Sequence, residues 1–266
     1  MIVRGVIELE AVSKSYPNAP GPAVESLSLT IGGESLNVLL GESGSGKTTV
    51  LKMINRLIDP SSGRIRLDGE DIQSLDPIAL RRRIGYAFQG VGLFPHMTVG
   101  ANVAVVPRLL GWSETDISAR IDELLEMVGL PAGVYAGRYP HQLSGGQQQR
   151  VGVARALAAR SRVLLMDEPF GALDPITRDE LQRELRQLQQ SLGLTIVLVT
   201  HDVNEALLLA DRIAVMKNGR LLAHDTPARL LEEPPHDYVR TLMEMPKRQA
   251  TMLSALAAHA ATETRS

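Results

Sequence analysis

The chain has no cysteine in its 266 residues, which excludes a disulfide framework, thiolate zinc ligation and a cysteine nucleophile, and agrees with a reducing compartment. It has no marked excess of either charge. Lys+Arg 28 against Asp+Glu 30 gives a formal net charge of -2, so nothing in the global balance recruits DNA, RNA or an anionic membrane. The Met1 to Glu10 start carries no apolar core of signal-peptide length. No run approaches the roughly 18 apolar residues of a membrane span, so the chain is expected not to cross a bilayer by itself. What is present is ordinary: 44% hydrophobic and 22% charged residues, the composition of a globular protein with ample volume for a core.

The first third reads as strands and turns. Val6 to Val12 and Leu27 to Ile31 alternate in part, and Leu36 to Leu40 runs straight into a glycine-rich loop. Thr48 to Leu57 lacks Gly and Pro and places Val50, Leu51, Ile54 and Leu57 at helical spacing. Ile65 and Leu67 before the Asp68-Gly69 turn predict a short hairpin strand, and Ile84 to Phe88 predicts another. From about Phe94 to Arg160 the period becomes helical, with Ile117, Ile121, Leu124, Leu125 and Val128 on one stripe. Buried-strand signals return at Val163 to Met166 and Thr195 to Thr200, separated by a helix of the type Asp179 to Leu192. A turn at Lys217 to Arg220, a short strand and one or two helices follow, and Ala255 to Ser266 reads as a fraying tail. No internal repeat is visible.

Gly41-Glu42-Ser43-Gly44-Ser45-Gly46-Lys47-Thr48, followed by Thr49, fits GxxxxGK[ST] between a strand and a helix. Glycines let backbone N–H groups curl round phosphate oxygens, and the helix N-terminus adds partial positive charge. Lys47 would reach the β/γ-phosphates and Thr48 would offer its hydroxyl to Mg²⁺. The plain alternative is a flexible glycine turn, which the strand and helix context disfavours. Asp167 and Glu168 end a buried strand: the first suits a Mg²⁺ shell, and the second suits orienting and deprotonating a water. Alone, that pair reads equally well as a solvated acidic turn before Pro169. Leu143-Ser144-Gly145-Gly146-Gln147 opens the helix Gln148 to Arg160 and forms a second potential anion site. Two phosphate-facing loops in one chain suggest that two protomers share each nucleotide.

Taken in this order, the phosphate loop, LSGGQ and the acidic strand make residues from about 6 to 245 resemble the ATP-binding subunits of ABC transporters. The resemblance implies an α/β fold: a P-loop NTPase (RecA-like) core with an N-terminal antiparallel β subdomain and an inserted α-helical subdomain. It implies an ATP-binding domain over 1–240, with the helical insert at about 92–160, and a tail at 241–266 without CBS domains. It implies ATP and Mg²⁺ as ligands, with Glu168 and His201 catalytic, and Thr48, Gln89 and Asp167 around the metal. Tyr16 matches the aromatic that stacks on adenine, and Gln89 the glutamine that reports nucleotide state to the membrane subunit. Asp174 matches an aspartate that crosses the dimer interface, and Ser144, Gly145, Gly146 and Gln147 match residues that hold the nucleotide of the other protomer. His201 matches a histidine on the γ-phosphate, and its place after a strand agrees with ligand binding at the carboxyl ends of parallel strands. Asp202 and Glu205 are expected to cap the following helix.

The segments Lys52 to Leu57, Arg81 to Tyr86, Val91 to Val99, Val103 to Trp112 and Asp167 to Arg178 are similar to the importers of glycine betaine, choline and carnitine. Cargo is not fixed by the ATPase, so another small solute such as ergothioneine or an amino acid stays open. The chain departs from that group in Gly90 after Gln89, in Ala101 beside Asn102, and in stopping at Ser266. The implied assembly is a head-to-tail homodimer on the cytoplasmic face of the membrane, joined to permease subunits and served by a solute-binding protein. A soluble ABC ATPase acting on nucleic acid is the rival, but neither an inserted coiled coil nor a second ATPase unit occurs. A P-loop GTPase is disfavoured because no Asn-Lys-x-Asp motif is present.

Overall fold

The computed structural model describes residues 5–87, 90 and 92–263. In chain order the elements are β1 (Ile7–Lys14), β2 (Val24–Ile31), β3 (Leu36–Leu40), α1 (Lys47–Ile54), β4 (Ser62–Leu67), β5 (Glu70–Asp71), α2 (Pro77–Arg83) and β6 (Ile84–Ala87). Four helices follow: α3 (Val99–Leu109), α4 (Glu114–Met127), α5 (Ala132–Tyr135) and α6 (Gly145–Leu157). The remainder is β7 (Val163–Asp167), α7 (Pro175–Leu192), β8 (Thr195–Thr200), α8 (Val203–Leu209), β9 (Arg212–Lys217), β10 (Arg220–Asp225), α9 (Pro227–Glu232) and α10 (Asp237–Glu263).

The strands form two sheets. An antiparallel one has the order β2-β1-β4-β5; a six-stranded one has the order β10-β9-β3-β8-β7-β6 and is parallel except for the β9–β10 hairpin. The continuous apolar runs of β3, β7 and β8 are explained by their neighbours, since each is buried along its whole length. Successive side chains of a strand point to opposite faces, and here they enter two different cores. Leu36, Val38, Leu40, Leu164, Met166, Ile196 and Leu198 pack with the helices from α3 onward. Leu39, Val163, Leu165, Val197 and Val199 pack with α1 and the antiparallel sheet. A polar residue on either face would therefore be buried. The registers Leu40↔Thr200 and Asp167↔Val199 bring the carboxyl ends of β3, β7 and β8 to one edge.

Three helix limits differ from the periodic pattern, each for a local reason. Helix α1 ends at Ile54, and not Leu57, because Arg56 takes a left-handed backbone (φ 46°) and its guanidinium donates to the carbonyls of Ile72 and Leu75. Helix α6 stops at Leu157, short of Arg160, whose own φ is 55°. Helix α7 starts at Pro175, before Asp179, because Asp174 caps it and proline is well suited to a first helical position. At the C-terminus α10 runs through 240 and 241 without a break, with Val239 and Met243 buried in the core. Its backbone stays helical through Ala255 to Glu263, where a fraying tail is expected from sequence.

Candidate functional site

The glycine loop crosses from β3 to α1 under tight contact. A Cβ on Gly46, whose φ is 101°, would lie 2.4 Å from the Ala23 carbonyl oxygen, and one on Gly41 would lie 2.2 Å from that of Met216. Both positions demand glycine. Gly46 is the N-cap of α1 and brings no side-chain cap, so the first-turn N–H groups keep their donor capacity for a ligand. The side chain of Lys47 turns back: its Nζ donates to the carbonyls of Gly41 (2.7 Å) and Glu42 (2.8 Å) and lies 3.3 Å from Ser45 Oγ. Burial holds its pKa below the ordinary lysine value, while Glu168, Asp167 and Glu42 pull the other way. Ser43, Gly44, Gly46, Lys47, Thr48, Thr49 and Glu168 line a cavity of about 440 Å³. Gly41, Glu42 and Ser45 build the loop behind it.

At the far wall, Thr48 Oγ1 donates to Asp167 Oδ1 at 2.9 Å. Asp167 is only 6% exposed, and burial raises its pKa, opposed mainly by that hydrogen bond. Glu168 follows with a left-handed backbone (φ 45°), held by its N–H bond to Val199 O at 3.0 Å. Such a conformation costs about 1–3 kcal/mol in a non-glycine residue and is found where the surroundings over-determine it, often at functional sites. Its carboxylate Oε1 lies 3.3 Å from His201 Nδ1. Glu168 thus sits between the phosphate-loop cavity and a smaller one of about 60 Å³ bounded by Thr200, His201 and Arg178. A hydroxyl beside a buried carboxylate is an oxygen donor pair suited to Mg²⁺, which keeps several non-protein ligands. No cluster of three or more His, Cys, Asp or Glu residues fit to hold a metal occurs among the described residues.

The other expected residues lie elsewhere. Tyr16 is exposed beyond β1, with Lys14 Nζ 5.5 Å from its ring centre. Ser144 caps α6: its Oγ accepts from the Gln147 N–H at 3.3 Å while Gln147 Oε1 accepts from the Ser144 N–H at 3.0 Å. Asp174 caps α7, accepting from the N–H groups of Ile176 and Thr177 at 3.1 Å each. The hydrogen bonding to Thr177 holds its carboxyl below the usual range. These two caps are neighbours, since a Cβ on Gly146 would meet Thr177 Cγ2 at 2.5 Å and one on Gly145 would touch Leu173. None of Tyr16, Ser144, Gly145, Gly146, Gln147 and Asp174 lines the phosphate-loop cavity among the described residues. Gln89 lies outside the described residues.

Asp202 caps α8 as expected, accepting from the N–H groups of Asn204 and Glu205. Glu205 does not cap: its carboxylate is buried and accepts from Gln182 Nε2 at 3.3 Å. Sequence reasoning also missed the clamp on the loop before α3. The side chain of Asn102 is fully buried and bonds the backbone of Phe94, Met97 and Thr98, and Arg155 Nη1 donates to Gly92 O at 2.8 Å. A lone Asn inside an apolar helical stretch is the one signal that could have found it.

The family model described as ABC transporter matches residues 24–171. A glycine betaine/carnitine/choline transport ATP-binding protein of Bacillus subtilis (strain 168) is 53% identical over 234 residues, covering 88% of this chain and 61% of that protein. A glycine betaine uptake system ATP-binding protein of Escherichia coli (strain K12) is 54% identical over 235 residues, covering 88% and 75% respectively. The chain therefore spans about three fifths of the length of the first relative. Among solved structures, a dimeric ATP-binding cassette in a post-hydrolysis state bound to ADP and Pi superposes with a TM-score of 0.74 at 35% identity, covering 83% of this chain and 98% of the other. The mixed α/β architecture expected from the motifs is the architecture of that cassette.

Proposed function

The chain belongs to the ABC transporter ATP-binding family, and from that premise we propose that it is the ATP-hydrolysing subunit of an importer for quaternary amines of the glycine betaine, choline and carnitine kind. One observation carries the ATPase part: Lys47, Thr48 and Glu168 line one cavity beyond the carboxyl ends of parallel strands, with Asp167 bonded to Thr48 and His201 set 3.3 Å from Glu168 on the adjoining smaller cavity. The names of the relatives support the solute part.

In this reading the Lys47 ammonium exchanges the carbonyls of Gly41 and Glu42 for phosphate oxygens, and the N–H groups of the glycine loop take the rest. Thr48 and Asp167, joined by Gln89, would hold Mg²⁺, which when bound neutralises phosphate charge. Glu168 accepts the proton of the attacking water, and His201, within hydrogen-bond reach of that carboxylate, orients it. Tyr16 stacks on the adenine. Ser144, Gly145, Gly146, Gln147 and Asp174 face the nucleotide of a second copy, which accounts for their distance from the cavity of their own chain. The dimer works at the cytoplasmic face of a membrane, on permease subunits supplied with cargo by a solute-binding protein. Among the described residues no helix is long and apolar enough to cross a membrane.

Positioned general-base catalysis contributes about 10²- to 10⁴-fold, so Glu168→Gln is expected to lower ATP turnover by that factor while ATP binding persists. Turnover at the wild-type rate would remove the base assignment. For the solute, the subunit is reconstituted with its permease and ATPase stimulation is measured with glycine betaine, choline, carnitine and ergothioneine in turn. Stimulation by none of the first three would sink the quaternary-amine reading and leave the ATPase reading intact.

A further inference from the structure

At the amino-terminal edge of the six-stranded sheet, opposite the strand ends that carry the site above, β6 and β7 begin beside a separate cavity of about 600 Å³. Four arginines line it: Arg82 and Arg83 at the end of α2, and Arg160 and Arg162 from the turn between α6 and β7. A guanidinium stays charged at any ordinary pH. Among the described residues, two carboxylates stand against these four. Arg83 Nη1 is paired with Glu70 Oε2 at 2.9 Å. Asp68, on the cavity wall, is committed to the backbone just before β1, accepting from the N–H groups of Gly5 (2.6 Å) and Val6 (3.0 Å). Four positive charges less these two negative ones leave a local excess of two among the described residues. The side chains of Arg82 and Arg162 make no hydrogen bond or ion pair with any described residue. Arg160 lies with its guanidinium 5.3 Å from the ring centre of Trp112, the single tryptophan of the chain.

An excess of two charges on planar forks matches a dianionic phosphate group, which guanidinium binds in bidentate fashion. The cavity exceeds what inorganic phosphate fills and falls in the range of small-molecule pockets, about 300–1,000 Å³. Its remaining wall includes Leu67 and Leu110, apolar surface for an organic remainder. We propose that this cavity binds a phosphate-bearing ligand, with the phosphate between Arg82 and Arg162, as a site separate from the nucleotide loop. The phosphate can come from a soluble phosphorylated molecule or from a lipid headgroup. The proposal does not rest on the transport reading.

The test uses the full chain carrying Lys47→Ala, so that the phosphate loop does not compete. It is titrated with inorganic tripolyphosphate by calorimetry and by Trp112 emission, and cosedimented with phosphatidylcholine vesicles with and without phosphatidic acid. Saturable binding of tripolyphosphate, weakened about tenfold or more when Arg82→Gln and Arg162→Gln are added, is the expected result for a soluble ligand. Binding only to the phosphatidic acid vesicles, lost in the same variant, supports the site with a lipid source. The control Arg183→Gln, on the exposed face of α7, should move neither readout, and unchanged melting temperatures show that the variants fold. The proposal is overturned if neither probe binds, if Arg82→Gln with Arg162→Gln binds as well as its parent, or if citrate binds as tightly as tripolyphosphate.

Discussion

Replacing Asn102 by alanine is the sharpest test of how the loop before α3 is held. Asn102 is 0% exposed, and its Oδ1 accepts from the Phe94 N–H at 2.8 Å. Its Nδ2 faces the carbonyls of Phe94 (3.2 Å), Met97 (3.2 Å) and Thr98 (3.0 Å), so two hydrogens serve three acceptors. Alanine removes the whole set. A buried group left without its partner costs about 1–3 kcal/mol. The Thr98 carbonyl keeps its helical bond to the Asn102 N–H, and Phe94 is 40% exposed, so water repairs part of the loss. The expected destabilisation is then about 2–4 kcal/mol, which for a chain of this size lowers Tm by roughly 4–16 °C. Urea denaturation gives the free energy, and amide exchange at 92–98 should accelerate more than exchange in β7 or β8. Asn102→Asp keeps the acceptor but turns a second oxygen toward three carbonyls, so it should be at least as harmful at neutral pH and recover in acid, where protonation restores one donor. Because Asn102 touches nothing around the phosphate-loop cavity, ATP binding should survive both changes. A free-energy change for Asn102→Ala within about 0.5 kcal/mol of zero, with unaltered exchange, would falsify the clamp.

Three further outcomes follow from particular contacts. Gly46→Ala places a Cβ 2.4 Å from the Ala23 carbonyl oxygen at a φ of 101°, so it should cost about 2 kcal/mol or more and weaken ATP binding, read by denaturation and nucleotide titration. Ser144→Ala and Asp174→Ala each remove a helix N-cap worth about 1 kcal/mol. If the dimer reading holds, ATP turnover falls far more than that stability loss explains, whereas a loss confined to melting temperature would leave both residues as caps alone. Burial raises the pKa of Glu205 above 4.5; the folded protein then binds the extra proton, so stability is present below the unfolded pKa and declines as pH rises through the folded one. Glu205→Gln removes that decline. Its stability advantage over wild type, measured in urea at pH 4.5 and pH 8, should widen with pH, and a constant gap would refute the burial argument.

What could be read from the chain was what is local in it. The phosphate loop, the Asp167-Glu168 strand end and the runs of β3, β7 and β8 are contiguous, and their burial follows from sheet position alone. Sequence reasoning did worse where a side chain finds a distant partner. Glu205 looked like a cap because it stands three residues after Asp202, yet Gln182, on the preceding long helix, claims its carboxylate. The return of Lys47 onto Gly41 and Glu42 is a contact that a motif written for phosphate does not contain. Asp68, Arg82 and Arg162 share a wall only because β4, α2 and β7 meet at one sheet edge.

The same distinction bears on why the expected nucleotide contacts divide into two groups. Residues beyond the carboxyl ends of β3 and β7 share a cavity, and the end of β8 bounds the one next to it, because parallel register puts them there. Ser144 and Asp174 are tied to each other instead, through the close approach of Gly146 to Thr177 that fixes α6 against α7. Each is exposed, and each satisfies the N–H groups of its own helix. That makes the surface stable without a ligand. The Ser144 hydroxyl, accepting from Gln147, still has its proton to donate, and further N–H groups of the first turn of α6 remain beyond the one its cap engages. On the proposed head-to-tail dimer, these donors, held rigid by the cap of one copy, would meet a phosphate carried by the other.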